Sequence, residues 1–168
     1  MPTISLETFI RAPAGRCFDL ARDIGVHAAA YSPLAHRAVS GVTSGLIELG
    51  EEVTWEASFC GVRQRMTSRI TAFERPRMFR DEMRRGPFKR WQHTHLFEST
   101  DGGTLMKDRV EYASPFGVLG AAFDALYLRG FLTRFLVAHN ADIKKIAESP
   151  VNKKPPHVSI DDFHADTP

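Results

Sequence analysis

Only two cysteines, Cys17 and Cys60, occur in the 168 residues. They make neither a disulfide framework nor a metal-binding spacing, so both are expected as reduced thiols of a cytoplasmic protein. No run of 18 uncharged apolar residues exists. The most apolar stretch, 115–138, is interrupted by Asp124, Arg129 and Arg134, which argues against a membrane-spanning helix. The first residues, MPTISLETFIRAP, carry Glu7 and Arg11 and lack the apolar core of a secretory signal. A phosphate-cradling glycine loop, a dinucleotide fingerprint, a nucleophile elbow and a zinc-finger spacing are all missing. The glycines of FGVLG, 116–120, have no phosphate-loop context and read as helix-start packing.

What is present is ordinary globular composition, 43% hydrophobic and 25% charged, with a net charge of +2. Charge is unevenly spread. Between Val62 and His93 there are ten Arg or Lys against three acids. Such a face can attract nucleic acid or anionic lipid. However, Arg63, Arg65 and Arg69 share a parity opposite to Gln64, Met66, Ser68 and Ile70. The preferred reading is therefore the solvated side of half-buried strands, with no nucleic-acid partner.

The order of elements follows from periodicity. TISLETFI is a strand stopped by Pro13, and PAGRCFDLARDIG places Cys17, Phe18, Ala21 and Ile24 on one helical face ending at Gly25. VHAAAYSPLAH is an irregular or helical linker, and RAVSG and LIELG are short strands. EEVTWEASF alternates Val53, Trp55, Ala57 and Phe59 against polar residues, as a half-buried antiparallel strand does. VRQRMTSRITAF, RMFRDEM, FKRWQHTHLF and TLMKDRVEYA continue the sheet. From 116 to 147, apolar residues recur at three- and four-residue spacing as one long helix. The expected organisation is a single domain over 1–147 and a mobile, Pro- and charge-rich tail over 148–168. A sheet with one apolar face needs a cover, and the long helix is the obvious one.

On this pattern the chain resembles the SRPBCC superfamily, also called START-like or birch-pollen-allergen-like. Within it, the match is to a branch of small bacterial ligand-binding or cyclase/dehydrase-like proteins. The matching segments are RAPAGRCFDLARD (11–23), LGEEVTWEASFCG (49–61), FRDEMRRGPFKRWQHTHLF (79–97) and GGTLMKDRVEYASPFGVLG (102–120). The resemblance implies an α+β helix-grip fold: a curved antiparallel sheet wrapped around the C-terminal helix, with one or two short helices after the first strand. It also implies a cavity for a hydrophobic ligand such as a lipid, polyketide or quinone, and no cofactor. That branch usually carries an arginine near the position of His139, which this chain lacks there.

FKRWQHTHLF puts Trp91, His93, His95 and Phe97 on one parity. Asp101-Gly102 is the strongest turn signal nearby, and as a two-residue turn it sets His95 opposite Asp108, His93 opposite Val110 and Trp91 opposite Tyr112. A turn at Gly102-Gly103 keeps the same residues on one face, with Asp108 and Tyr112 diagonal to His95. Asp108 then lies on an apolar face and needs a partner. The leading reading is a polar spot in a ligand cavity, with Trp55, Phe59, Asp81, Trp91, His93, His95, Asp108 and Tyr112 as candidate ligand-binding residues. Trp55 and Phe59 are equally consistent with plain core, and Asp81 joins His93 only if the β-hairpin near Gly86 has the right register. Tyr112 either turns its hydroxyl to the ligand or packs on Trp91. Three other readings are a purely structural network, an acid/base dyad of His95 and Asp108, and a metal bound by His93, His95 and Asp108. Metal ranks last, and none is expected. The functional expectation is a cytoplasmic binder of a hydrophobic or amphipathic small molecule. A cyclase/dehydratase-like enzyme is the first alternative, and a membrane- or protein-interaction module the second. Oligomeric state is left open.

Overall fold

The computed structural model describes residues 2–29, 36–59 and 62–150, without the side chain of Phe59. Seven strands form one antiparallel sheet in the order β1-β7-β6-β5-β4-β3-β2. They are β1 (Thr3–Ile10), β2 (His36–Gly41), β3 (Glu52–Phe59), β4 (Val62–Glu74), β5 (Met78–Arg85), β6 (Arg90–Thr100) and β7 (Gly103–Ala113). Two short helices, α1 (Ala14–Ala21) and α2 (Ile24–Ala29), follow β1. A continuous helical segment of 32 residues closes the described chain. It consists of α3 (Gly117–Phe123), a π-turn (Asp124–Leu128) and α4 (Arg129–Glu148). This is the helix-grip fold expected from the sequence.

The helix predicted over 13–25 is split. The carboxylate of Asp23 accepts hydrogen bonds from the Gly25 and Val26 amides and so starts α2. The expected face is nonetheless the buried one: Cys17, Phe18 and Ala21 are fully enclosed. The strand expected at LIELG does not form. Gly45 and Gly50 flank it with positive φ angles of 76° and 83°, and Leu46 makes only an isolated bridge to Asp23. Its backbone is satisfied elsewhere: the Gly45 carbonyl accepts from the Ile24 amide, and the Ile47 amide donates to the Arg22 carbonyl. Residues 30–35 of the expected linker, Cys60, and 151–168 of the expected tail lie outside the described residues.

Two apolar clusters fill the space between sheet and helices. One centres on Phe18, which meets Phe73, Phe79 and Phe97 edge-on at 5.2–5.4 Å. The other joins Trp91, Val110 and Tyr112 to Leu128, Leu132 and Leu136 of the C-terminal segment. On the outer face, Arg37 and Arg65 both donate to Glu56, with Arg63 nearby at 4.0 Å. Arg63 and Arg65 themselves are mostly exposed, so part of the basic stretch is the solvated side of the sheet.

The π-turn is pinned to the sheet by Tyr112, whose hydroxyl donates to Asp124 Oδ1 at 2.5 Å. Burial and then the Asp124 carboxylate raise the phenol pKa further above its ordinary value, so the donor stays protonated. N-terminal to the turn, Phe116, Val118 and Leu119 are about four-fifths exposed, and Phe116 has a left-handed φ of 67°.

Candidate functional site

Between the sheet and the C-terminal helices lies a cavity of about 630 Å³. That is room for a medium-sized organic molecule. Its floor comes from the inward parity of β3 and β4: Val53, Trp55 and Ala57, with Gln64, Met66, Ser68 and Ile70. Pro87 and Phe88 of the β5–β6 turn and the exposed Phe116, Leu119 and Phe123 also line the cavity. The lining is overwhelmingly apolar. Four wall residues, Ser68, His95, Ser114 and His139, each carry a buried polar atom with no hydrogen-bond partner among the described residues.

At one wall the hairpin registers gather a polar cluster. Asp81 pairs with His93 across β5 and β6, and His95 pairs with Asp108 across β6 and β7. Strand periodicity puts His93 and His95 on the same face, with ring centroids 3.8 Å apart. Asp108 lies beneath both rings. Its Oδ1 is 3.1 Å from His93 Nε2 in a hydrogen bond and 2.7 Å from His95 Nδ1. The second contact is too bent for a directed hydrogen bond and is best described as an ion pair. Asp108 Oδ2 accepts from Asn140 Nδ2 on α4 at 2.6 Å. Asp81 Oδ1 sits 3.8 Å from His93 Nδ1 and 3.7 Å from His95 Nε2, on the cavity side.

Electrostatics follow from this enclosure. Burial alone would lower the His95 pKa, but Asp108 and Asp81 outweigh it and push it up to about 9. Burial would raise Asp108, yet the two imidazoles hold it well below the usual carboxylate range. Burial would raise Asp81 as well, but His95 and then His93 outweigh it and lower its pKa. Further along the wall His27 and His139 stack at 4.2 Å. Burial lowers His27 to about 4, and the Nε2–H of this neutral ring donates to the Ala21 carbonyl at 2.6 Å. Burial, with the nearby His27, His95 and His93, takes His139 well below its ordinary value. The wall thus presents a cationic imidazole between carboxylates and, further along, neutral imidazoles.

Of the residues singled out in the sequence, Trp55, Asp81, Trp91, His93 and His95 line the cavity. Asp108 and Tyr112 do not. Asp108 is overlain by the two imidazoles, and Tyr112 is fully buried with its hydroxyl turned to Asp124. The side chain of Phe59 lies outside the described residues. The sequence reading missed His27, Ser68, His139 and Asn140 as contributors. His139 and Asn140 break an otherwise apolar stripe of Leu132, Leu136 and Ile143, and that interruption was the available signal. His27 carried none, because it lay in a segment with no clear period.

The fold is shared widely. The aromatase/cyclase Zhui from a Streptomyces species superposes with a TM-score of 0.69 at 15% identity, over 88% of this chain and 93% of that one. A Thermus thermophilus protein, TTHA0849, gives 0.67 at 20% identity, over 88% and 100%. The ginseng major latex-like protein 151 from Panax ginseng gives 0.65 at 14%, over 88% and 98%. No curated protein matches the chain in sequence. A family model does: that of polyketide cyclase / dehydrase and lipid transport proteins aligns with residues 1–148. The chain belongs to that family, and with it to the SRPBCC superfamily that its strand and helix segments resemble.

Proposed function

We propose that this protein holds an amphipathic small molecule, apolar along most of its length and bearing a hydroxyl or carbonyl at one end. The carrying observation is an apolar cavity with one polar patch in its wall, formed by Asp81, His93 and His95. The His95 and Asp81 wall would orient the polar end, while Trp55, Met66 and Phe135 would pack on the hydrocarbon. Shape and apolar area set affinity here, and the polar groups set orientation.

The test is native mass spectrometry of the tag-free protein, with extraction of co-purifying small molecules, followed by titration with an environment-sensitive apolar dye. One dye per chain is expected. Ala57→Phe, which adds volume to the cavity floor, should weaken dye binding at least tenfold. Arg63→Ala, on the outer face, should leave it unchanged. Equal effects of the two variants would sink the cavity reading.

A second reading is favoured by one observation. His95, held cationic next to two carboxylates, can donate a proton to a carbonyl oxygen inside the cavity. This supports a cyclase- or dehydratase-like reaction on an enolisable ketone. Its signature is turnover lost in His95→Gln while dye binding persists.

A further inference from the structure

We infer that Asp81, His93 and His95 form a binding site for one divalent first-row transition-metal ion at the cavity wall. Sequence spacing alone does not reveal it, because the third ligand comes from a hairpin whose register the turn residues leave open. The fold supplies it: Asp81 stands directly across from His93 on the neighbouring strand. One ligand atom from each of the three side chains lies within 4.8 Å of the other two. Ligands bonded at ~2.1 Å to a common ion sit roughly 3–3.5 Å apart. The Asp81 to histidine distances of 3.8 and 3.7 Å therefore need only a slight inward movement.

Three features separate this cluster from a chance meeting of polar groups. First, two imidazoles and a carboxylate on one face, with open positions, are a recognised donor set for such ions. All three residues line the cavity, so the open positions would face it. Second, the outer ring nitrogens are already engaged. Asp108 meets His93 through Nε2 and His95 through Nδ1. The nitrogens left toward Asp81 are Nδ1 of His93 and Nε2 of His95. That is the carboxylate–imidazole–metal arrangement in which a supporting acid fixes ring orientation and basicity. Asn140 fixes Asp108 in turn.

Third, the charges call for a cation. Asp81 and Asp108 have side chains 18% and 1% exposed, and neither is paired with a lysine or arginine among the described residues. Buried carboxylates need a compensating charge. With both imidazoles neutral the cluster carries two negative charges, and one divalent ion balances them.

The test uses full-length, tag-free protein stripped with a chelator and titrated with Co²⁺ and Zn²⁺ by calorimetry and native mass spectrometry. One ion per chain is expected. Asp81→Asn and His95→Gln should each weaken binding at least tenfold. Asp108→Asn should weaken it roughly 10–100-fold through the lost support. His157→Gln with His164→Gln, in the C-terminal residues, should leave the affinity unchanged. Ring nitrogen resonances of wild-type His93 and His95 should shift with the first equivalent of Zn²⁺, a readout that needs no cluster variant to fold. Absence of one-to-one binding overturns the site. So does binding that survives Asp81→Asn, is lost with the tail histidines, or leaves the His93 and His95 rings unmoved.

Discussion

Asn140 on α4 and Asp108 on β7 are joined by a buried 2.6 Å hydrogen bond, a polar tie between helix and sheet in a largely apolar interface. The same carboxylate carries His93 and His95. Helix position and imidazole geometry are therefore set by one group. Replacing Asn140 with Leu keeps the size but removes the donor. It should cost about 1–3 kcal/mol in urea unfolding, because Asp108 is left short of a partner. Unchanged stability would mean that the tie contributes nothing.

A double-mutant cycle reads the coupling between His95 and Asp108. His95→Phe alone, or Asp108→Leu alone, strands a polar partner in an apolar place. The double replacement should recover part of the summed loss, with a coupling of at least about 1 kcal/mol. Strict additivity would show that the 2.7 Å contact carries no net energy.

The stacked His27 and His139 pair predicts acid sensitivity. His27 is faced by the Ala21 carbonyl and His139 and feels the charges of His95, His36 and Asp81. Its pKa is near 4 folded, against about 6.5 for an unfolded histidine. Between those values the unfolded chain binds more protons, so stability should fall as pH drops from about 6.5 to 4. Above about 6.5 this residue should add no pH dependence. His27→Phe should flatten that part of the curve relative to wild type. Parallel curves for the two proteins would refute the assignment.

Gly120 faces the backbone so closely that an added Cβ would overlap the Pro115 carbonyl oxygen. Gly120→Ala should destabilise by about 1–3 kcal/mol or push α3 outward. Faster amide exchange confined to residues near 115–123 would distinguish the second outcome from a global loss.

The sheet was largely legible because alternation survives wherever one face is buried. Of the two turns that DGG allows, the structure has the one at Asp101-Gly102, the stronger signal, so His95 stands directly opposite Asp108. Asp81 was not placeable, because Arg85-Gly86-Pro87 allows several registers. LIELG misled because its apolar residues follow strand-like spacing while its backbone bonds to the α1–α2 junction instead of a neighbouring strand. The helix was visible from its stripe, but the π-turn within it was not. One extra residue per turn leaves composition and local spacing nearly unchanged. The two polar residues at 139 and 140 were the only trace of the cluster on that side.

The π-turn decides whether both ends of the C-terminal segment can meet the sheet. Each helical residue advances the face by ~100°, so one residue gained or lost rotates everything beyond it by that angle. Tyr112 holds Asp124 at the first residue of the turn, and Asp108 holds Asn140 beyond its end. Deleting one residue from 125–128 should rotate Leu119, Phe123 and Asp124 together against Asn140, so that only one of the two ties survives. The turn is a vernier: its extra residue brings two anchors on one sheet into register.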